Sequence, residues 1–169
     1  MTLLDLPALR EAVEGVADPE LSGVTIGQLG LILDLRVTGS HAEVDFSPTF
    51  LGCVAVGLIL LDIENTVLTS EPLLNTCHVN IVHNVWSTDR ISADGVNQLH
   101  ALGIVVVRTM ESMSDAPCPY CLRPGLEKRG GSGPTRCRSV AWCNGCRNVV
   151  EIMEPKIVTL RETSQYAHL

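Results

Sequence analysis

Two C-x2-C pairs, Cys118-Pro119-Tyr120-Cys121 and Cys143-Asn144-Gly145-Cys146, are separated by 21 residues near the C-terminus. Each pair can form a tight knuckle that aims two thiolates at one point, and two knuckles complete a tetrahedron around Zn²⁺. The gap is slightly longer than usual for such sites, and Gly130-Gly131-Ser132-Gly133-Pro134 supplies a loop tip that absorbs the excess. Four thiolates leave no open position for water, so the expected zinc is structural rather than catalytic. A redox dithiol, an iron-sulfur site or an unmetallated relic are the other readings of the same spacing. A fifth cysteine, Cys137, has no x2 partner. It reads either as a small buried hydrophobe beneath the ribbon or as a residue that replaces a zinc ligand or contacts a second metal.

The charge divides the chain in the same place. Residues 1–113 carry a net charge of −10 and residues 114–156 carry +3, within a total of −7 over 169 residues. An acidic body repels phosphate backbones, and a zinc with four thiolates removes most of the positive charge of the tail. Nucleic acid is therefore not the expected partner, and a nucleic-acid-binding ribbon is a minor alternative. The longest apolar stretch, Phe50 to Leu61, stops at Asp62, too short to cross a bilayer. The acidic N-terminal segment lacks the pattern of a secretory leader, so the expected location is a reducing cytoplasm.

Asp5 to Gly15 reads as a helix, with Asp5 as N-cap, Pro7 in the first turn and Leu6, Leu9 and Val13 at helical spacing. Leu31–Val37 and Ala42–Phe46, joined by Thr38-Gly39-Ser40-His41, predict a β-hairpin. Val56, Ile59, Leu60, Ile63 and Val67 form the apolar stripe of a main core helix. A third strand is expected over His78–Trp86. A short helix capped by Ser92 and closed at Gly103 follows, and Ile104–Val107 could add a fourth strand to the body. The fold class is α/β (α+β): a small mixed sheet with helices on one face, in the order α-β-β-α-β-α, plus a C-terminal zinc ribbon. The expected domains are residues 1–111, residues 112–156 and a tail over 157–169.

One cysteine of the body stands apart. Cys53 follows Ser47-Pro48-Thr49-Phe50-Leu51-Gly52, a loop shaped by Pro and Gly, at the start of the core helix. The helix dipole there favours a thiolate, so Cys53 is expected to ionise easily and to be more reactive than Cys77. Gly52 and Thr49 suggest a loop that something approaches closely. The five histidines, His41, His78, His83, His100 and His168, have no metal-ligand spacing, and no hydrolase motif is present, so no catalytic residue is assigned.

Asp18-Pro19-Glu20-Leu21, Thr25-Ile26-Gly27-Gln28-Leu29-Gly30-Leu31-Ile32 and Phe46 through Cys53 resemble the iron-sulfur cluster assembly domain of SufT-like and PaaD-like proteins. Val85-Trp86-Ser87-Thr88-Asp89-Arg90-Ile91-Ser92, with Cys137 preceding Cys143-Asn144-Gly145-Cys146, resembles the PaaD branch in particular. The resemblance implies a non-catalytic accessory factor for the metal centre, iron-sulfur or di-iron, of a phenylacetyl-CoA epoxidase-like multicomponent oxygenase. It implies that Cys53, with Asp18, Thr49 and Gly52, handles a transient iron or iron-sulfur cluster, while Cys118, Cys121, Cys143 and Cys146 hold Zn²⁺. The implied partner is the client oxygenase or its reductase subunit, with no membrane partner and with a homodimer left open. A structural interaction subunit is the alternative. Gln28 and Val54 stand where the family usually carries Asp and Pro. Gln28 would weaken an iron site if that position faced Cys53.

Overall fold

The computed structural model describes residues 4–131 and 133–155; the expected tail over 157–169 lies outside the described residues. Helix α1 spans Leu6–Glu14, with the Asp5 carboxylate accepting from the Ala8 N–H and Gly15 at its C-cap, as the sequence predicts. Strands β1 (Ile32–Thr38) and β2 (His41–Phe46) form the expected antiparallel hairpin. Helix α2 (Val56–Ser70) then crosses over to β3 (Thr76–Ile81), which pairs parallel to β2. The resulting mixed sheet has the order β1-β2-β3.

The strand period separates the two faces. Leu35, Ala42, Val44, Phe46 and Val79 enter one core with Leu9 and Val13 of α1 and Ile59, Ile63 and Val67 of α2. On the polar side Arg36 pairs with Asp34, Glu43 and Asp45, and Asn80 donates to Asp45. Helices cover one face, as expected. The third strand ends at Ile81, short of the expected Trp86, because Trp86 has another task. Its indole N–H donates to the Leu29 carbonyl at 2.7 Å, anchoring the loop that precedes β1.

The segment from Trp86 to Ser92 straps the body together. The Arg90 Nε donates to the Gly30 carbonyl at 2.8 Å. Gly30 has φ +67, and a Cβ there would lie 2.4 Å from the Arg90 carbonyl oxygen, so the close approach requires glycine. Buried Thr88 donates to the Val107 carbonyl, and Arg108 donates to the carbonyls of Asp89 and Ile91. Helix α3 (Ala93–Ala101) follows, with Ser92 as N-cap accepting from Gly95 and Gly103 in the left-handed region just beyond its end.

Ile104–Val106 forms a strand, β4, but in a different sheet from the one expected. It pairs parallel with β7 (Val149–Met153), in a second sheet of order β4-β7-β6-β5 that includes β5 (Leu126–Gly130) and β6 (Ser139–Cys143). The apolar Ile-Val-Val run marks a buried strand without saying which edge it joins. The two halves share a core at this junction, because Ile104 and Met153 are buried in the cluster of the body. No helix among the described residues is long and apolar enough to cross a membrane.

Candidate metal and thiol sites

The four ribbon cysteines converge. Their sulfur atoms all lie within 4.8 Å of one another, with Cys118 to Cys146 at 3.7 Å and Cys121 to Cys143 at 3.6 Å. A tetrahedron with Zn–S bonds of about 2.3 Å has edges of about 3.8 Å, so the set fits a zinc ion. Both knuckles are built alike. The Leu122 N–H donates to the Cys118 carbonyl at 2.8 Å and the Arg147 N–H to the Cys143 carbonyl at 2.9 Å, and both donors have φ of 60°. Within the knuckles the Cys118 sulfur accepts from the N–H groups of Tyr120 and Cys121, and the Cys143 sulfur from those of Gly145 and Cys146. The Cys146 N–H leads the effects that push the Cys143 thiol down to about 6, a readiness to bind metal as thiolate. Cys118 is pushed up to about 11, chiefly by burial among Val105, Leu126 and Ile152.

Cys137 is not among these four. It lies on the loop between β5 and β6, with its sulfur 3.0 Å from the Thr135 hydroxyl, and it lines a narrow cleft against the body. The same cleft is lined by Asp18, Glu20, Thr49, Cys53 and Arg138, with Phe46, Val56 and Ile59 behind them. Its free volume is about 20 Å³. As it stands, that is room for an ion or a water molecule.

Cys53 donates its thiol proton to the Glu20 Oε2 at 3.4 Å. It lies ahead of the Ala55 N-cap of α2 rather than on the helix itself. The expected easy ionisation is corrected here: the Ala55 N–H at the helix start does favour the thiolate, but burial outweighs it and raises the Cys53 pKa above the ordinary thiol value, with the neighbouring Glu20 carboxylate adding to the rise. Half-buried Cys77 is pushed up to about 11, chiefly by burial and then by the Glu64 carboxylate.

Asp18 shapes the loop that presents Glu20. Its Oδ1 accepts from the Glu20 N–H at 2.8 Å and the Leu21 N–H at 3.1 Å, while burial raises its pKa. Gly52 has a local reason for its small size, since a Cβ would lie 2.7 Å from the Phe50 ring. That ring in turn receives the Arg136 guanidinium at 5.7 Å from its centroid. Gln28 does not line the cleft. Its Oε1 accepts from the Thr25 N–H at 2.9 Å, and the Thr25 Oγ1 accepts from the Gln28 N–H at 3.1 Å, a reciprocal turn cap. Sequence reasoning missed Glu20 and Arg138. The signal for Glu20 was available, because in Asp18-Pro19-Glu20 an Asp that caps the turn places the residue two positions on at its exposed tip.

The geometry therefore defines a class of protein: an α/β body with a cysteine-bearing loop, joined to a four-cysteine ribbon. Comparison with known proteins agrees on both halves. The model of the iron-sulfur cluster assembly protein family matches residues 7–81, and that of the PaaD zinc β-ribbon domain matches residues 104–154. A domain of unknown function, DUF59, from Bacillus anthracis is 35% identical, with a TM-score of 0.52, over 55% of this chain and 89% of that one. A Mycobacterium tuberculosis protein, described as associated with Fe-S complex assembly and repair, is 33% identical over 58% of this chain and 85% of its own, with a TM-score of 0.36. An Escherichia coli (strain K12) protein, provisionally named as one of the components of 1,2-phenylacetyl-CoA epoxidase, is 25% identical over 136 residues, 78% of this chain and 82% of the relative. The chain belongs to the iron-sulfur cluster assembly protein family, in the PaaD-like branch that carries a zinc β-ribbon.

Proposed function

We propose that this chain is a non-catalytic accessory factor for a phenylacetyl-CoA epoxidase-like oxygenase, carrying iron or an iron-sulfur cluster transiently at Cys53 to the metal centre of its client. The observation that carries the reading is the placement of Cys53 at the cleft mouth, its thiol hydrogen-bonded to Glu20 on the loop that Asp18 caps. A protonated thiol beside a carboxylate is held ready rather than committed: an arriving metal displaces the proton, and a returning proton helps release the metal. In this reading the ribbon binds Zn²⁺ through Cys118, Cys121, Cys143 and Cys146 as a structural ion. The similarity to the epoxidase relative supports the choice of client.

Cys53 lies beside an apolar surface suited to docking. Val54 is 87% exposed, and Leu58 and Leu61 on α2 are each 57% exposed. This observation favours a second reading, a structural interaction subunit, in which the surface matters and the thiol does not. The test is metal loading of an apo-oxygenase component by the iron-supplied chain under anaerobic conditions. Cys53→Ser should fold normally, retain one zinc and lose delivery. Full client loading by Cys53→Ser, combined with loss of loading in a Leu58→Ser, Leu61→Ser double variant, would leave only the interaction subunit.

A further inference from the structure

We propose that Cys137 of the ribbon is the second sulfur ligand of the cargo site, so that a thiophilic divalent metal is held by Cys53, Cys137 and Glu20 where the two halves of the chain meet. The proposal rests on the reading of Cys53 as the cargo-binding residue and adds to it a ligand from the other module.

Three observations converge on this cleft. Cys53 and Cys137, from loops more than eighty residues apart in the sequence, line the same narrow space together with Glu20. The two loops are held against each other independently of the thiols, by Arg136 over the Phe50 ring. The Cys137 loop is itself held in place: the Arg138 Nε donates to the Thr135 Oγ1 at 2.9 Å, and the Arg138 Nη1 lies 2.6 Å from the Glu151 Oε2 on β7. With Arg138 donating to its oxygen, the Thr135 hydroxyl can give its own proton to the Cys137 sulfur, which fixes the position of that sulfur.

The donor set decides the class of ligand. Two sulfurs and a carboxylate oxygen suit Fe²⁺, Co²⁺ or Zn²⁺ and reject Mg²⁺ and Ca²⁺. As a metal enters, each S–H bond breaks, the sulfur electron pair goes to the metal, and the two protons leave to solvent, that of Cys53 by way of Glu20. Two thiolates then balance the 2+ charge of the metal, and the Glu20 carboxylate leaves the set with one net negative charge. Among the described residues only the four ribbon sulfurs are already gathered within 4.8 Å of one another. The Cys53, Cys137 and Glu20 set is therefore an open one that a metal must draw together, which suits a passing cargo better than a resident ion.

The test uses the full, zinc-loaded chain without oxygen, with Fe²⁺ as the probe. Equilibrium dialysis and elemental analysis count iron against zinc, and iodoacetamide labelling with mass spectrometry reads the accessibility of each thiol. Wild type should take up one Fe²⁺ beyond its zinc, with labelling of both Cys53 and Cys137 slowed at least tenfold. Cys137→Ser should retain its zinc and bind Fe²⁺ at least tenfold more weakly. If Cys137→Ser binds like wild type while Cys53→Ser does not, the composite site falls and the Cys53 reading survives. If Cys53→Ser binds like wild type, or wild type takes up no second metal, both fall. Should Cys137→Ser lose its zinc or its fold, the wild-type footprint decides, since Cys137 labelling unchanged by Fe²⁺ overturns the proposal.

Discussion

Met153 offers a direct measure of how firmly the ribbon is built into the body. It lies on the last strand of the ribbon sheet, is 1% exposed and belongs to the core of the body, and its carbonyl accepts from the Val107 N–H at 2.8 Å. Met153→Ala deletes three buried groups, forfeiting about 0.8 kcal/mol for each, or about 2.4 kcal/mol of transfer free energy. The adjoining cleft shows that the neighbours do not close over space on this side, so an uncollapsed void of roughly 50 Å³ adds about 1.2 kcal/mol. The total of about 3.5 kcal/mol corresponds to a fall in Tm of roughly 7 to 14 °C for a chain of this size. Thermal unfolding of the zinc-loaded protein, followed by circular dichroism of the α-helices, reads the stability of the body and not of the ribbon. Val149→Ala, on the same strand at an exposed position, is the control and should stay within about 0.5 kcal/mol. A helical melt shifted by less than 2 °C in Met153→Ala would show that the body core closes without β7.

Three further outcomes follow from the geometry. The body keeps Ile104 in its core and is strapped by Val107 and Arg108, so a chain ending at Gly103, which loses all three, should melt below one ending at Glu111, as circular dichroism would show. Alkylation of Cys53 should rise about tenfold per pH unit through neutrality and level off only above pH 9, because burial and Glu20 raise its pKa; Glu20→Gln should move the midpoint down, as labelling kinetics would show. Gln28→Asp should leave Fe²⁺ affinity within a factor of two in equilibrium dialysis, since residue 28 caps the Thr25 turn and does not line the cleft.

What the sequence revealed was written in local periodicity. Asp5 and Gly15 bracket α1, the Ile59-Ile63-Val67 stripe marks α2, Val44 and Phe46 alternate with Glu43 and Asp45, and each C-x2-C pair encodes its own knuckle. Each of these signals is complete within one or two turns of chain. The parts that stayed hidden depend on distant segments meeting. An apolar triplet at Ile104 cannot announce a partner at Glu151, and nothing near Cys137 points toward Cys53. The thiol chemistry of Cys53 was misjudged for the same reason: proximity to a helix start was visible, whereas the burying walls and the facing carboxylate come from elsewhere. Gly52 and Gln28 stand within the motifs that carry the family resemblance, and their contacts, the Phe50 ring and the Thr25 backbone, give each a role in the local shape of its loop that the motif alone does not reveal.

The parallel pairing of β4 with β7 makes the ribbon something other than an appendage. Parallel strands need a crossover connection, and in the body α2 supplies it between β2 and β3. Between β4 and β7 the crossover is the ribbon itself. An excursion of about 40 residues costs roughly 3 kcal/mol or more in closure entropy if it is unstructured, and a metal knot that shortens it removes much of that cost. Loss of zinc should therefore loosen the joint at the far end of the module, where Met153 enters the core of the body. A chelator that strips the knuckles would then be felt at the seam between the sheets, turning metal availability into a determinant of whether the chain presents one rigid face or two loosely tethered ones.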